Sequence, residues 1–202
     1  MRYFVFLFIV ITTSSCGQDK LPLLGDTEYQ REMNANFKDA AKSPLTDSDR
    51  KLFRNLDFFK FDSTYLVTAS FKRTPNEVSF KMKTTTDRLV DYVKYGEATF
   101  KIKDKVLKLN VYQDLEMAKE VGQEEALFLP FMDNTNGAES YKGGRYIEVK
   151  LPENNQIVID FNKAYNPYCA YNKRYSCPIV PNENILYVRI EAGVKKYKKV
   201  ED

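Results

Sequence analysis

The stretch Ala98–Tyr112, ATFKIKDKVLKLNVY, decides the fold class of this chain. Apolar and polar residues alternate on both sides of Asp104-Lys105, which is typical of two half-buried strands joined by a tight turn. The apolar side chains of the two arms are expected to meet on one face, with lysines 101, 103 and 108 in solvent. These apolar residues are Phe100, Ile102, Leu107, Leu109 and Val111. The hairpin therefore predicts an antiparallel sheet with one buried face.

Further short runs with a period of two, rich in β-branched and aromatic residues, lie on both sides of this hairpin. Together with the hairpin they predict about nine strands, over residues 63–71, 78–85, 89–94, 98–103, 106–112, 126–131, 145–151, 157–161 and 186–190. No helix is predicted between the strands, so βαβ units are excluded. The expected fold is mainly β (α+β by content), an antiparallel β barrel or sandwich.

Helical spacing occurs before the strands. Thr27 and Gln30 have the spacing of a capping box and predict a helix over residues 28–42, which Ser43 and Pro44 end. A second, shorter helix is predicted from Thr46 to Leu56. The two N-terminal helices are expected to cap the sheet.

The first residues have the pattern of a secretory signal: Arg2, an apolar run over residues 3–11, and small polar residues before Cys16. The apolar run is shorter than the roughly 20 residues needed to span a bilayer. Ser14, Ser15, Cys16 and Gly17 resemble the lipobox of bacterial lipoproteins, although Thr13 stands where an aliphatic residue is usual. An ordinary signal peptide that leaves Cys16 unmodified is the alternative.

The resemblance implies that Cys16 is lipidated, with acyl chains such as palmitate as its membrane anchor. The predicted organisation is a signal peptide over residues 1–15, a tether over 16–25 and a single globular β domain over 26–202. The expected location is the cell envelope outside the cytoplasm, in the periplasm or at the outer-membrane surface, with the membrane as partner through the anchor.

Composition excludes several classes of function. The chain has no histidine, so no Ser-His-Asp or Cys-His pair and no histidine-ligated metal can form. A net charge of +3 from 31 basic and 28 acidic residues gives no reason to expect a nucleic-acid partner. Any general acid or base must be a carboxylate, lysine, tyrosine or cysteine.

Two cysteines, Cys169 and Cys177, remain once Cys16 is lipidated. In a compartment that permits disulfides we expect them to pair, which would stabilise the fold by about 2 to 3 kcal/mol on the chain-entropy model. Free buried thiols and redox or nucleophilic chemistry are the alternatives.

Residues 131–184 combine turn formers with charged groups between apolar runs. Arg145 has the same parity as the apolar residues of the strand it opens, so its side chain is predicted to point inward. Asp133, Glu139 and Asp160 are its candidate partners. The arginine either forms a buried salt bridge that closes one end of the barrel or receives an anionic ligand.

The loop at Asp133 alternates oxygen-bearing side chains in the manner of a calcium loop. Gly137 and Gly144 stand at positions five and twelve, where an EF-hand needs glycine at six and glutamate at twelve. No cofactor is therefore expected, with Ca²⁺ or Mg²⁺ kept as an alternative. The rings and amides after the strand at 157–161 suit a small-molecule pocket, or they satisfy the backbone of a long loop.

Four motifs in this region resemble, in order and spacing, a bacterial family of unknown function, domain-of-unknown-function family 1684. The motifs are FMDNTNGAESYKGGRY (131–146), DFNKAYNPYCAY (160–171), CPIVPNEN (177–184) and IEAGVK (190–195). Departures from its pattern are Asn136, Ser140, Tyr168, Val180 and Val194. The upstream part looks like the lipoprotein branch of that family.

The resemblance implies a shared site but no known activity. The candidate ligand-binding residues are Asp133, Thr135, Glu139, Tyr141, Arg145, Asp160, Asn162, Tyr165, Asn166, Glu183 and Asn184. The expected function is binding of a small polar or anionic ligand at one end of the barrel. The alternatives are a carboxylate- or metal-dependent hydrolase that uses Asp133, Glu139 or Asp160, and a structural or assembly lipoprotein.

Overall fold

The computed structural model of the chain describes residues 25–123 and 125–199. The predicted signal peptide, the predicted lipidation site Cys16 and all but the last residue of the predicted tether lie outside the described residues. Within the described ranges, no helix has the length and apolar character needed to cross a membrane.

In the described part of the chain two α-helices precede the sheet, α1 (Glu28–Lys38) and α2 (Asp47–Leu52). The predicted capping box at Thr27 and Gln30 is present at the start of α1. This helix ends earlier than predicted because the Asp39 carboxylate accepts a hydrogen bond from the Ala41 backbone N–H, 2.9 Å away, a local alternative to the helical pattern.

Within residues 25–123 and 125–199, seven strands form one antiparallel sheet. They are β1 (Leu66–Arg73), β2 (Phe80–Lys83), β3 (Leu89–Ile102), β4 (Lys105–Asp114), β5 (Leu127–Phe131), β6 (Arg145–Val149) and β7 (Gln156–Asp160). Their order is β6-β5-β4-β3-β1-β7, and β2 pairs with the first part of β3. The predicted class, a mainly β fold with two N-terminal helices, is confirmed, and the sheet takes the form of a curled half-barrel.

The predicted hairpin between β3 and β4 is present, but its turn is Lys103-Asp104, one residue before the predicted Asp104-Lys105. Phe100 therefore lies opposite Leu107, and Ala98 lies opposite Leu109, with these apolar side chains on one face as predicted. Lys103 occupies the turn with a φ of 53°, a left-handed conformation. The two arms therefore place Phe100 and Leu109 in the core on the concave side of the sheet.

The two strands predicted at 89–94 and 98–103 are one long strand, β3, and the expected turn at Tyr95-Gly96 is a β-bulge. Lys94 pairs with Tyr112 and Gly96 pairs with Val111, so one extra residue reverses which side chains face inward. A Cβ on Gly96 would lie 2.3 Å from Phe71 Cζ, which explains the glycine here. The bulge lets β3 contribute Phe100 to the concave core and Tyr92 to the opposite, outer face.

The strand predicted at residues 186–190 is wrong, because this segment runs without a strand ladder in the described structure. Its apolar side chains Leu186 and Ile190 still enter the concave core. Its backbone is held by single hydrogen bonds, such as Leu186 N–H to the Met132 carbonyl at 2.7 Å.

The outer face of β3–β6 carries a second, aromatic cluster. The segment 165–178 crosses this face and is tied to it by bridges between Tyr146 and Tyr165 and between Thr84 and Pro178. The sheet is therefore covered on both sides here, by the concave core within and by this segment outside.

Candidate functional site

Arg145 opens β6, and its side chain points into the concave core with 0% exposure. One Nη donates to the Ala192 carbonyl. The other donates to Asp133 Oδ2 at 2.6 Å and to the Ile190 carbonyl at 2.8 Å. Burial lowers the pKa of the Arg145 guanidinium, and the negative charge of Asp133 opposes that shift. Arg145 thus holds the irregular segment 186–195, called here the C-terminal segment, against β6 with hydrogen bonds that replace a strand ladder.

The loop after β5 is closed by its own oxygens. Asp133 Oδ1 accepts from the backbone N–H groups of Thr135 at 2.7 Å and Ile190 at 3.3 Å. The Thr135 and Ser140 hydroxyls hydrogen-bond each other at 2.7 Å, and Asn136 Oδ1 accepts from the Asp133 N–H at 2.6 Å. The side-chain oxygens of Asp133, Thr135 and Asn136 are therefore engaged in fixing the loop and its contact with Ile190 and Arg145.

The other predicted carboxylates lie apart from this network. Glu139 forms an exposed ion pair with Arg189. Asp160 Oδ1 accepts from both the backbone and the side-chain amide of Asn162, each at 3.0 Å. Asn162 in turn bonds the backbone of Asp62, before β1. The structure therefore does not bring Asp133, Glu139 and Asp160 together, and no group of three or more acidic or cysteine side chains among the described residues could hold a metal ion.

The predicted asparagines hold backbone segments. Asn184 is fully buried, accepts from the Asn110 N–H at 2.8 Å, and donates to the carbonyls of Asn110 at 2.8 Å and Pro130 at 2.6 Å. Asn166 donates to the Lys195 carbonyl at 2.9 Å. Glu183, next to Asn184, is exposed at the surface. Asn184 therefore connects its segment to β4 and β5, and Asn166 connects the segment 165–178 to Lys195.

A groove of about 600 Å³ lies on the outer face, between the sheet and the segment that crosses it. It has the size of a small-molecule site, and six aromatic rings contribute to its walls. Those rings belong to Tyr92, Phe128, Tyr146, Tyr165, Tyr168 and Tyr175. We call this cavity the outer groove.

The rings of the outer groove support one another. Phe128 and Tyr146 meet edge to face at 4.8 Å between centroids, and Tyr146 meets Tyr165 in the same way at 5.9 Å. The Tyr146 hydroxyl donates to the Pro178 carbonyl, which fixes the segment 165–178, called here the covering segment. Tyr168 is the most accessible ring, with 46% of its surface exposed. The groove therefore has a rigid aromatic floor and one exposed aromatic edge.

The outer groove is acidic. Asp114, Glu120 and Glu148 line it, and no lysine or arginine does so among the residues that the structure describes. Arg88 and Arg174 lie outside one wall, where they donate to Ser176 and to the Tyr175 hydroxyl. Glu148 accepts from Tyr165 at 3.2 Å.

Burial and then the charge of Glu148 raise the pKa of Tyr165 well above its usual range. Burial likewise raises the pKa of Tyr146. These hydroxyls are therefore neutral hydrogen-bonding groups at physiological pH, and the charge of the outer groove comes from its carboxylates.

Of the residues predicted to bind ligand, Tyr165 is the one that lines the outer groove. Tyr146 and Glu148 were not among the predicted site residues, because the prediction for this strand rested on the inward parity of Arg145. Their signal was present, since both have the opposite parity on the same strand. Tyr92 and Phe128 gave no such signal, because their faces depend on the bulge and on the pairing of distant strands.

The expected disulfide between Cys169 and Cys177 is corrected by the structure, in which both are free thiols. The thiols interact instead: Cys177 Sγ accepts from the Cys169 N–H at 3.2 Å. Hydrogen bonding from the Cys177 thiol lowers the pKa of Cys169 to about 6, assisted by the hydroxyls of Thr85 and Tyr141. The Tyr141 hydroxyl lies 4.0 Å from Cys169 Sγ. Tyr141 thus belongs to the cysteine pair and not to the Arg145 network.

Comparison with known proteins shows the family. The chain is similar to the uncharacterized protein from gene locus rrnAC0354 of Haloarcula marismortui, known from a solution NMR structure, with 31% identity and a TM-score of 0.64. The similarity covers 82% of this chain and 89% of that one. No curated protein matches the chain. Residues 51–195, a longer stretch than the motifs alone, match the family described as protein of unknown function (DUF1684), and the chain belongs to that family.

Proposed function

We propose that this protein is a small-molecule-binding domain whose ligand occupies the outer groove. The observation that carries the proposal is the acidic, ring-lined cavity of about 600 Å³ between the sheet and the segment 165–178. The buried Arg145 network is a less suitable site, because its guanidinium has no exposed surface and both Nη atoms donate to protein oxygens.

The chemistry of the walls favours an organic cation with a flat or apolar body. Aromatic faces attract cations and pack against flat groups, and a desolvated cation over a ring gains on the order of 2 kcal/mol. The carboxylates of Asp114, Glu120 and Glu148 would pair with an ammonium group. An anion would meet these three carboxylates with no basic residue among the described groove walls, so the polar ligand expected from the sequence is proposed here to be cationic.

Binding can be tested with three small probes on the full chain: tyramine as an aromatic cation, maltose as a neutral sugar and benzoate as an anion. NMR titration gives the dissociation constant and shows which residues respond. Tyramine is expected to shift resonances of Glu148, Tyr165 and Tyr168 and to bind more tightly than the other two probes. Tighter binding of benzoate, or no response to any probe at millimolar concentration, would contradict the proposal.

Matched variants assign the site. Tyr168→Ala removes an exposed ring of the outer groove and is expected to weaken tyramine binding by about two- to tenfold, the range of an aromatic contact. Tyr187→Ala removes an exposed ring elsewhere, since Tyr187 is 80% exposed and lies beside the β3–β4 hairpin. Equal loss in both variants, or none in Tyr168→Ala, would place the ligand elsewhere.

The charge is tested in the same way. Glu148→Gln keeps the shape of a groove residue and is expected to weaken tyramine binding by up to about fivefold, as for an exposed ion pair. Glu153→Gln is the control, because Glu153 lies in the turn before β7 and outside the outer groove. An unchanged affinity in Glu148→Gln would remove the carboxylate from the proposal.

The proposal includes an anchor at Cys16, which would hold the domain at a membrane in the cell envelope. Its support is the sequence pattern of residues 1–17, a signal peptide followed by a lipobox-like cysteine. Metabolic labelling with a palmitate analogue in a bacterial host is expected to label the wild-type chain and not Cys16→Ser. Equal labelling of the two chains would contradict lipidation at Cys16.

A further inference from the structure

Cys177 is a buried thiol held in a fixed position. Its backbone N–H donates to Thr85 Oγ1 at 3.1 Å, and its carbonyl accepts from the Thr85 N–H at 2.9 Å. Thr85 lies just after β2, and Pro178, the residue after Cys177, forms a bridge with Thr84. The covering segment is thus fastened to the edge of the sheet at Cys177, and the thiol has little freedom to move away.

Cys169 is half-buried and lies on the other side of a short loop. It sits in the 3₁₀ turn Tyr168–Ala170, and its backbone N–H points at Cys177 Sγ. Three donors surround its sulfur: the Cys177 thiol and the hydroxyls of Thr85 and Tyr141. Hydrogen-bond donors stabilise a thiolate, and no histidine or lysine is needed for that effect.

The two sulfurs differ in a way that assigns their roles. The pKa of Cys169 is lowered by these hydrogen bonds, whereas hydrogen bonding to Cys169 and then burial raise the pKa of Cys177. Burial raises the pKa of Tyr141 to about 12, so its hydroxyl keeps the proton that it shares with the thiolate. Cys169 is therefore the thiolate of the pair, and Cys177 is the thiol that donates to it.

We propose that Cys169 and Cys177 form a thiol–disulfide exchange pair, in which Cys169 attacks a disulfide substrate and Cys177 resolves the mixed disulfide. The geometry that carries the proposal is the pair of adjacent free thiols, one half-buried among three donors and the other buried and fixed. The substrate class is a small-molecule or peptide disulfide, R–S–S–R, that reaches Cys169 from solvent.

The chemistry balances in two steps. The Cys169 thiolate forms a bond to one sulfur of R–S–S–R, breaks the R–S–S–R bond and releases R–S⁻. The Cys177 thiol then loses its proton to solvent or to R–S⁻, attacks Cys169 Sγ and releases the second R–S⁻. The substrate disulfide is reduced to two thiols, and the cysteine pair is oxidised to an intramolecular disulfide.

This inference does not rest on the ligand of the outer groove. Cys177 also lines the outer groove, so oxidation of the pair would change one of its walls. Failure of the exchange test would leave the ligand titrations unaffected, because those titrations contain no disulfide reagent.

Exchange is tested on the full chain carrying Cys16→Ser, so that two thiols remain. The reduced protein is mixed with oxidised glutathione, quenched with acid and analysed by mass spectrometry. The expected product is the protein lighter by two hydrogens, with a Cys169–Cys177 crosslink in the peptide map. In Cys177→Ser a glutathione adduct on Cys169 is expected to accumulate, and in Cys169→Ser the adduct is expected to form at least tenfold more slowly. A stable glutathione adduct on the pair-containing chain, or equal rates at the two cysteines, would overturn the proposal.

The state of Cys169 gives a second readout that packing alone would not affect. The alkylation rate with iodoacetamide is measured as a function of pH. The pH at its midpoint is expected to lie well below the ordinary cysteine pKa of about 8.5. Tyr141→Phe removes one donor and is expected to move that midpoint upward, while Tyr187→Phe, far from the pair, is expected to leave it unchanged. A midpoint at the ordinary value in the unmodified pair would contradict the assignment of Cys169 as the attacking thiolate.

Discussion

Arg145 and Tyr146 are neighbours on β6, yet they belong to two different kinds of environment. Arg145 faces the concave core, where Asp133 and two backbone carbonyls accept hydrogen bonds from its two Nη atoms. Tyr146 faces outward, where it forms the floor of the outer groove with Phe128 and Tyr165. The comparison teaches that a buried charge with many protein partners is a structural clamp. Accessible rings and carboxylates beside an open cavity are the better candidates for function.

The largest effect is expected from removing the hydrogen bonds of Arg145 in the concave core, called here the inner clamp. Arg145→Met leaves the Asp133 carboxylate buried without its partner, which is expected to lower the free energy of unfolding by about 3 to 5 kcal/mol. Denaturant unfolding measures this change. Arg189→Met is the matched control, because Arg189 pairs with Glu139 and Glu191 at the surface, and a much smaller loss is expected there. Similar losses in the two variants would remove the distinction between clamp and surface pair.

Gly96 links the two environments, because the bulge beside it turns β3 from the outer face to the concave core. A Cβ at this position would lie 2.6 Å from the Lys72 carbonyl oxygen and closer still to the Phe71 ring. Gly96→Ala is expected to cost about 1 to 3 kcal/mol in unfolding free energy, as for overpacking of a core.

The double variant Gly96→Ala/Phe71→Leu separates the two contacts of that Cβ. Phe71→Leu makes room where the ring stood, so the added cost of Gly96→Ala is expected to be smaller in this background. An undiminished cost would show that the backbone contact with Lys72, and not the ring, is what requires glycine. Denaturant unfolding of the four chains of this cycle gives the coupling.

A smaller effect is expected from the outer face. Tyr146→Phe removes the hydroxyl that donates to the Pro178 carbonyl but keeps the ring packed on Phe128. The expected loss is about 1 kcal/mol of unfolding free energy, the usual net value of one hydrogen bond. The outer-groove resonances of the segment near Pro178 are expected to shift in NMR spectra. A loss as large as that of Arg145→Met would mean that the outer face is also a clamp.

The smallest effect concerns a surface ion-pair cluster next to the bulge. Lys108 and Lys94 donate hydrogen bonds to the Glu97 carboxylate and lower its pKa to about 2, and Lys108 makes the larger contribution. Because the folded-state pKa lies below the unfolded value, the stabilisation is complete above about pH 4.5 and is lost as the pH falls toward 2.

Glu97→Gln is therefore expected to flatten the pH dependence of stability between about pH 4.5 and 2. At neutral pH it is expected to cost about 1 kcal/mol or less, as for other exposed pairs, and the loss is expected to shrink in high salt. Thermal unfolding across this pH range measures the change. An unaltered acid profile would show that Glu97 is not the group that titrates.

Much of the fold could be predicted from local pattern. The alternation over residues 98–112 predicted the β3–β4 hairpin and its buried face, with the turn misplaced by one residue, and Thr27 with Gln30 predicted the start of α1. The bulge at Gly96 could not be predicted, since a glycine between two short strands is equally typical of a turn. The buried segment at Leu186 misled for a related reason, because apolar alternation records burial and not pairing.

The candidate site was predicted less well. The inward direction of Arg145 followed from strand parity, but its role followed from partners 12 to 47 residues away along the chain. The outer groove joins side chains from β3, β5 and β6 with the segment 165–178, and no motif contains them together. The sequence motifs placed the predicted site within residues 131–184, whereas the outer groove is also lined by Tyr92 and Asp114.

The sequence by itself determined the mainly β class, the two N-terminal helices, the inward Arg145 and the absence of histidine chemistry. These follow from composition and from the periods of two and 3.6 residues, which act over a few neighbours. Only the tertiary structure decided that Arg145 is enclosed, that Cys169 and Cys177 meet as free thiols and that rings from four regions form the outer groove. Those outcomes depend on strand order and, for Tyr92, on the bulge in β3, which bring distant residues together and which local sequence does not encode.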